Sequence, residues 1–244
     1  MTSVVFLAFV VSVAGTVLLL AQHYLPPRVS VRSLGVLTAW LLYVGLISLL
    51  GIVANVSIRP PGIAFILLPV TLFVVLGAIR SNSGLRYALA IPIPLLLVAQ
   101  SYRIGVELFL HQLHYEHIVP QLLTYDGSNV DVFVGLSAPF AAWASTKGKT
   151  GLRLTMLWNI VGLLSLANVI TRFLLTTPGP LLFIHTEVLN RAAGIFPYTY
   201  IPGFLAPLAV TLHILAIRAI RSVLQRYSQS PPSRYPETTV ARSP

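Results

Sequence analysis

Long stretches of apolar residues recur along the 244-residue chain, separated by short segments that carry charged or turn-forming residues. A helix needs about 20 mainly apolar residues to cross a hydrocarbon layer of roughly 30 Å. Charged residues make up only 9% of the chain, against roughly 25% in soluble domains, and are too few to cover a water-facing surface. The sequence therefore predicts an all-α, polytopic membrane protein.

We predict a bundle of seven transmembrane helices followed by a tail. The predicted spans are residues 2–21, 34–54, 62–79, 85–117, 130–145, 152–175 and 200–224. They form one transmembrane domain over residues 1–224. Residues 225–244 are rich in Ser, Pro and Arg and are predicted to form a disordered, basic cytoplasmic tail. Between the last two spans, residues 180–193 have apolar side chains at helical spacing, which favours a surface helix.

The basic residues predict the orientation of these spans. Twelve of the sixteen lie in alternate connections or in the tail: Arg28, Arg32, Arg80, Arg86, Lys147, Lys149, Arg153, Arg218, Arg221, Arg226, Arg234 and Arg242. The other connections contain only Arg59 and Arg191. Because cytoplasmic loops are enriched in Lys and Arg, the N-terminus is predicted outside and the C-terminus in the cytoplasm. The formal net charge of +10 is then a topology signal, and no nucleic-acid partner is predicted.

The second half of the fourth span carries five polar residues on one helical face. They are Gln100, Arg103, Glu107, His111 and His114, which lie three or four positions apart within an arc of about 80°. An ionisable group at membrane depth costs about 2.5–3.5 kcal/mol, so this face should point into the bundle or a water-filled cavity. Arg103 and Glu107 lie one turn apart and are able to pair.

Other spans carry polar residues at the same predicted depth. The sixth contains Ser165, Asn168, Arg172 and Thr176, the seventh contains His213, and Asn129 and Asp131 stand at the start of the fifth. We expect these side chains to gather in an outward-facing polar pocket, where Arg172 could pair with Asp131 or Glu107. The candidate ligand-binding residues are Arg103, Glu107, His111, Asn129, Asp131, Asn168 and Arg172.

Three histidines near the end of the fourth span raise the question of a metal site. On a straight helix, His117 points about 60° beyond the arc that holds His111 and His114. A zinc or iron site needs three or four converging ligands, and the chain has no H-E-x-x-H pattern. We therefore predict no metal site and no cofactor.

Several short motifs occur in the second half of the chain. They are Arg103-Ile104-Gly105-Val106-Glu107, Val119-Pro120, Thr124-Tyr125-Asp126-Gly127, Asn129, Asp131, Gly135-Leu136-Ser137-Ala138-Pro139, Trp158-Asn159, Gly162-Leu163, Asn168, Phe196-Pro197, Ile201-Pro202, Pro207 and His213. Together they resemble a family of uncharacterised bacterial integral membrane proteins, over about residues 99–221. The resemblance implies a location in the bacterial inner membrane and carries no established activity. It marks four of the candidate residues as motif positions, namely Arg103, Glu107, Asn129 and Asp131.

Three functional hypotheses follow. The leading one is a non-catalytic or transport-type protein whose pocket binds or translocates a small molecule or a lipid headgroup. In that hypothesis Arg103 and Arg172 hold an anionic group, and Glu107 or Asp131 binds or relays a proton. The second is a membrane-embedded enzyme that uses Glu107 and His111 as acid and base on a lipidic substrate. The third is a structural or assembly subunit in which the ion pairs only fix helix packing. Membrane lipids are the expected partners, and the sequence leaves the oligomeric state open.

Overall fold

The computed structural model describes residues 1–229, which contain nine α-helices and no β-strand. The helices are α1 (Thr2–Tyr24), α2 (Pro27–Leu49), α3 (Ala64–Phe73), α4 (Asn82–Ala90), α5 (Ile93–Val98), α6 (Tyr102–Tyr115), α7 (Asp131–Ser145), α8 (Gly148–Leu175) and α9 (Ala206–Gln229). A π-helical segment continues α3 over Val74–Arg80, and another leads into α9 over Ile201–Leu205. Short 3-10 helices are Ala99–Ser101, between α5 and α6, Gln121–Leu123 and Ala192–Gly194. The predicted all-α class is confirmed.

Five helical segments are long and apolar enough to cross a membrane. They are Thr2–Tyr24, Pro27–Leu49, Ile93–Tyr115, Gly148–Leu175 and Ile201–Gln229. The pair Ala64–Arg80 and Asn82–Ala90, bent by 72°, adds a sixth if it is counted as one span. Helix α7 has 15 residues and is shorter than these segments. The length and hydropathy of these helices are those of a multi-pass membrane protein.

The boundaries of two predicted spans are wrong, in each case because of proline. Helix α2 begins at Pro27 rather than at residue 34, since proline is favoured in the first turn, where its missing N–H is not needed. The predicted fourth span, residues 85–117, is two separate segments. Helix α4 ends at Ala90, and Ile91 is extended because it precedes Pro92. The segment that carries Arg103 therefore begins only at Ile93.

The surface helix predicted over residues 180–193 is absent. Most of this stretch is irregular, and only Ala192–Gly194 forms a 3-10 turn. Its backbone bonds to other elements instead: Asn190 N–H donates to Thr176 O at 2.9 Å, and Arg191 N–H donates to Ile118 O at 2.9 Å. At the C-terminus of the chain, α9 extends to Gln229, so residues 225–229 of the predicted tail are helical. Residues 230–244 of that tail lie outside the described residues.

The ends of the helices gather into two groups. One group, which we call the loop end, comprises the N-terminus and the connections 50–63, 116–130 and 176–200. Here Thr2 Oγ1 donates to Glu116 Oε1 at 2.5 Å, and Gly194 packs against Ala54. The opposite group, the tail end, comprises the connections 25–26, 81–92 and 146–147 and the C-terminal part of α9. At this end Arg218 donates from Nη2 to Ser81 O at 3.0 Å.

Two apolar clusters fill the interior, one towards each end of the bundle. The loop-end cluster includes Phe6, Ile47, Leu110 and Phe173, and the tail-end cluster includes Ala88, Leu97, Ala142 and Ala216. Along the α5–α6 segment, buried polar residues separate the two clusters: Gln100, Arg103 and Glu107 follow Leu97 and precede Leu110. The fold thus places a polar layer between two apolar cores.

Candidate functional site

Arg103 lies at the centre of the polar layer and is 2% exposed. Its Nη2 forms an ion pair with Oδ1 of Asp131, the first residue of α7. Ser165 of α8 donates a hydrogen bond from Oγ to the same carboxylate oxygen. Burying two oppositely charged side chains as a pair costs much less free energy than burying either of them without its partner. This contact ties α6, α7 and α8 at one point.

A second set of hydrogen bonds joins Arg103 to α9 and α8. Arg103 Nη1 donates to His213 Nε2 at 3.1 Å, and His213 Nδ1 lies 2.8 Å from Asn159 Oδ1. Asn159 Nδ2 donates to Thr155 O at 2.8 Å, so its oxygen must face His213. This assigns the proton to His213 Nδ1 and makes Nε2 the acceptor. His213 is therefore a neutral imidazole held in one tautomer.

Gly162 of α8 makes room for this imidazole. A Cβ atom at position 162 would overlap the His213 ring. His213 itself is fully buried. The absence of a side chain at this one position allows α8 and α9 to approach closely enough for the histidine to reach both Asn159 and Arg103.

Glu107 is buried one turn away from Arg103 but has a different partner. Asn129 Nδ2 donates to Glu107 Oε2 at 2.6 Å and to Leu123 O at 3.0 Å. The amide oxygen of Asn129 accepts the backbone N–H of Asp131 at 3.0 Å. The expected pairing of Arg103 with Glu107 is therefore wrong, because the N-terminus of α7 supplies a separate partner to each of them.

These charged side chains border a cavity of about 230 Å³. Arg103, Glu107 and Asp131 are the charged residues of its lining, and α3, α8 and α9 contribute mostly apolar side chains, among them Leu67, Ile170 and Leu174. An apolar wall around a few convergent polar groups is typical of a ligand pocket.

A larger cavity of about 530 Å³ lies at the loop end. The connections 50–63 and 176–200 form much of its lining, with Asn55, Asn190 and Arg191 among its polar residues. Leu67 and Leu174 line both cavities. The charged cavity and the loop end of the bundle therefore share a boundary at these two leucines.

Four of the predicted ligand-binding residues are not part of the lining of the charged cavity, namely His111, Asn129, Asn168 and Arg172, although Asn129 contacts Glu107. Arg172 Nε donates to Asn168 Oδ1 at 2.9 Å, so the expected pairing of Arg172 with Asp131 or Glu107 is wrong. The i, i+4 spacing on α8 gives this guanidinium a nearer partner on its own helix. His111 Nδ1 lies 3.3 Å from Asp126 Oδ2, and its ring stacks on Tyr125.

Three residues that complete the polar layer are not among the candidate ligand-binding residues, namely Asn159, Ser165 and His213. The sequence places Ser165 and His213 at the depth of the predicted pocket, whereas Asn159 is not predicted there. Ser165 and His213 carried a signal, since both are polar residues within apolar spans. Gln100 also belongs to the layer and donates from Nε2 to Ala209 O at 3.1 Å. Among the described residues, no three His, Asp or Glu side chains are grouped so that they could hold a metal ion.

Comparison with known proteins identifies the family. A family model described as a domain of unknown function (DUF8737) matches residues 60–221, and the chain belongs to that family. The match includes the whole polar layer and begins earlier in the chain than the motifs found by sequence reading. No curated protein and no solved structure gives a significant match.

Proposed function

We propose that this protein is a seven-span protein of a bacterial inner membrane that binds or translocates a small molecule or a lipid headgroup in the charged cavity. One observation carries the proposal: three buried ionisable side chains, Arg103, Glu107 and Asp131, line one cavity whose other lining residues are mostly apolar. Each such group costs about 2.5–3.5 kcal/mol at membrane depth, and residues retained at that cost commonly mark a substrate or ion pathway.

The contacts seen in the structure change the roles that the sequence suggests for the charged residues. Arg103 contacts Asp131 and His213 through Nη2 and Nη1, and its Nε is buried without a hydrogen-bond partner among the described residues. Arg172 contacts Asn168. Both guanidinium groups therefore already have partners within the protein. Among the described residues, the Glu107 carboxylate has one hydrogen-bond partner, the neutral side-chain amide of Asn129. Glu107 is therefore the group in the cavity best suited to bind a proton or a ligand.

The arrangement of the connections supports the seven-span topology. Helix α7 is short, but 15 residues still rise about 22 Å, and it runs from the loop-end connection 116–130 to the tail-end connection 146–147. Its large apolar side chains Phe133, Leu136, Phe140 and Trp143 are more than half exposed. Such a face suits contact with lipid. The alternating basic residues support an outside N-terminus and a cytoplasmic C-terminus.

The cavity proposal is tested by comparing two tryptophan variants on one helix. Ile170 lines the charged cavity, whereas Ile160 is 44% exposed on the bundle surface. The variants I170W and I160W and the wild type are purified in a mild neutral detergent, and the bound small molecules and lipids are quantified by mass spectrometry. We expect a stoichiometric ligand in the wild type and in I160W and its loss from I170W. Equal ligand content in I170W, or no ligand in any of the three, would argue against the proposal.

A second candidate function, a structural or assembly subunit, is favoured by the continuous hydrogen bonding around Arg103. The chain of contacts from Thr155 through Asn159 and His213 to Arg103 and Asp131 joins four helices, as a packing device would. This network explains Arg103 and Asp131 but leaves Glu107 without a role. The enzyme hypothesis is not carried forward, because the structure gives Glu107 and His111 separate partners in Asn129 and Asp126.

A further inference from the structure

The charges that line the cavity do not balance. Arg103 contributes one positive charge, and Asp131 and Glu107 contribute two negative charges when both are ionised. His213, which contacts Arg103, is neutral in the tautomer assigned above. The cavity therefore lacks one positive charge whenever Glu107 is ionised. A carboxylate in an apolar setting is neutralised either by a proton or by a cation that replaces the proton.

The missing charge belongs beside Glu107 rather than beside Asp131. Asp131 is satisfied by Arg103 and Ser165, together with its backbone N–H bond to Asn129. Glu107 has one neutral donor, the Asn129 amide, at 2.6 Å. Glu107 is one of the residues that line the cavity. A cation that enters this space meets Glu107 as the acceptor without a charged partner.

The rest of the lining requires an apolar ligand body. Besides the three charged residues, the polar side chains of the lining are Thr71 and Tyr102, and Tyr102 already donates from its hydroxyl to Leu205 O at 2.5 Å. A strongly hydrated metal ion or a sugar would lose its water contacts here without replacement. A hydrocarbon chain would lose none, and it would gain contacts with the leucine, isoleucine and valine side chains of the wall.

The dimensions favour an extended ligand. The charged cavity of about 230 Å³ exceeds the roughly 150 Å³ that holds a benzene molecule in an engineered protein cavity. The adjoining loop-end cavity adds about 530 Å³ beyond Leu67 and Leu174. The two together fall within the roughly 300–1,000 Å³ of ordinary ligand pockets. A ligand with its charged group at Glu107 would reach the loop-end cavity if its body passed between Leu67 and Leu174, which line both cavities.

We propose that the cavity takes an amphipathic molecule with a cationic ammonium group, which pairs with Glu107 while its apolar body lies against α3 and α8 and reaches the loop-end cavity. This inference rests on the proposed ligand-binding function and narrows the ligand class from any small molecule to a lipophilic amine. It assigns Glu107 as the residue that selects for charge and the Leu67–Leu174 boundary as the entry route.

The test uses three probes that share one chain and differ in charge: decylamine, decanol and decanoate. Their affinities for the purified protein are measured by calorimetry at neutral pH in a non-ionic detergent. The variant E107Q removes the charge and keeps an oxygen for Asn129. The matched control E116Q changes an acid on the loop end, where Glu116 contacts Thr2 and Gln112. Removing one charge-assisted contact should weaken binding by about tenfold, and more where water is excluded.

We expect decylamine to bind the wild type and E116Q at least about tenfold more tightly than it binds E107Q. We also expect it to bind the wild type more tightly than decanol does, and decanoate to bind most weakly. Equal affinity for the three probes, or unchanged decylamine affinity in E107Q, overturns the ammonium assignment and leaves the cavity proposal standing. If none of the probes binds, the ammonium assignment fails, and the ligand content of I170W decides the cavity proposal separately. If E107Q does not fold, the order of the three probes on the wild type decides the assignment.

Discussion

Arg103 Nη1 donates a hydrogen bond to His213 Nε2 across 3.1 Å, although the two residues lie 110 positions apart in the sequence. The contact joins α6 to α9 inside the bundle, and both side chains are almost completely buried. Because the imidazole has its proton on Nδ1, it accepts from the guanidinium without adding charge. His213 therefore gives the buried guanidinium a second partner besides Asp131, and it does so without adding a negative charge.

Replacing His213 by leucine should destabilise the protein. The change removes an acceptor from Arg103 and a donor from Asn159, and each unsatisfied buried group costs about 1–3 kcal/mol, more for a charged one. We expect H213L to lower the midpoint of thermal unfolding in detergent well below that of the wild type. H185L alters an exposed histidine in the loop-end connection 176–200 and should leave the midpoint unchanged. Equal midpoints for the two variants would show that the Arg103–His213 contact contributes little.

A double-mutant cycle should reveal strong coupling between Arg103 and Asp131. Removing one partner of a buried ion pair leaves an uncompensated charge and costs about 3–5 kcal/mol, whereas replacing both partners costs much less. We expect R103M and D131N each to unfold at a lower denaturant concentration than the double variant.

The same cycle on Arg103 and Glu107 provides the control. These residues lie one helical turn apart, but the structure gives each a different partner, so their coupling should be weaker than that of Arg103 with Asp131. A stronger coupling between Arg103 and Glu107 would contradict the pairing described here.

Apolar runs and buried-charge costs predict the helical class and most residues of the polar layer, but not Asn159. They could not predict which residues pair, because pairing depends on helix rotation and on the approach of α7. Arg103 and Glu107 share one face of α6, yet the N-terminus of α7 supplies Asp131 to one and Asn129 to the other. The spacing of residues along one helix does not contain that information.

The helix boundaries, too, were only partly predictable from the sequence. Pro27 begins α2 and Pro92 follows the end of α4, whereas the apolar pattern starts the second span at residue 34 and runs on across Pro92. A proline at a helix end therefore locates the boundary better than the apolar pattern does. The loss of the surface helix over residues 180–193 was not predictable from periodicity. Its backbone groups bond to Ile118 in the connection 116–130 and to Thr176 at the end of α8, and these contacts replace helical ones.

Substituting Gly162 by alanine should disrupt the polar layer by a steric route. The new methyl group would overlap the His213 imidazole and push it away from Asn159 and Arg103. We expect G162A to lower the unfolding midpoint by an amount comparable to H213L. Gly15 lies within α1 with nothing near the position of a Cβ atom. G15A should therefore be neutral or stabilising by up to about 1 kcal/mol, since alanine favours helix. If G162A is as stable as G15A, the close packing of α8 on α9 is not needed.

The proposed topology predicts the accessibility of single cysteines on opposite ends of the bundle. The chain contains no native cysteine, so each introduced thiol reports on one position. Ser83 lies in the first turn of the tail-end helix α4, and Ser128 lies in the loop-end connection 116–130. With an outside N-terminus, an impermeant maleimide added to intact cells should label S128C and spare S83C, and permeabilised cells should label both. Ten of the sixteen basic residues lie in the tail-end group or in the helix turns next to it within the described residues, and the positive-inside rule assigns this end to the cytoplasm. Labelling of S83C alone in intact cells would show that the orientation is reversed. Labelling of both positions in intact cells would show that they lie on the same side of the membrane, which contradicts the single span proposed between them.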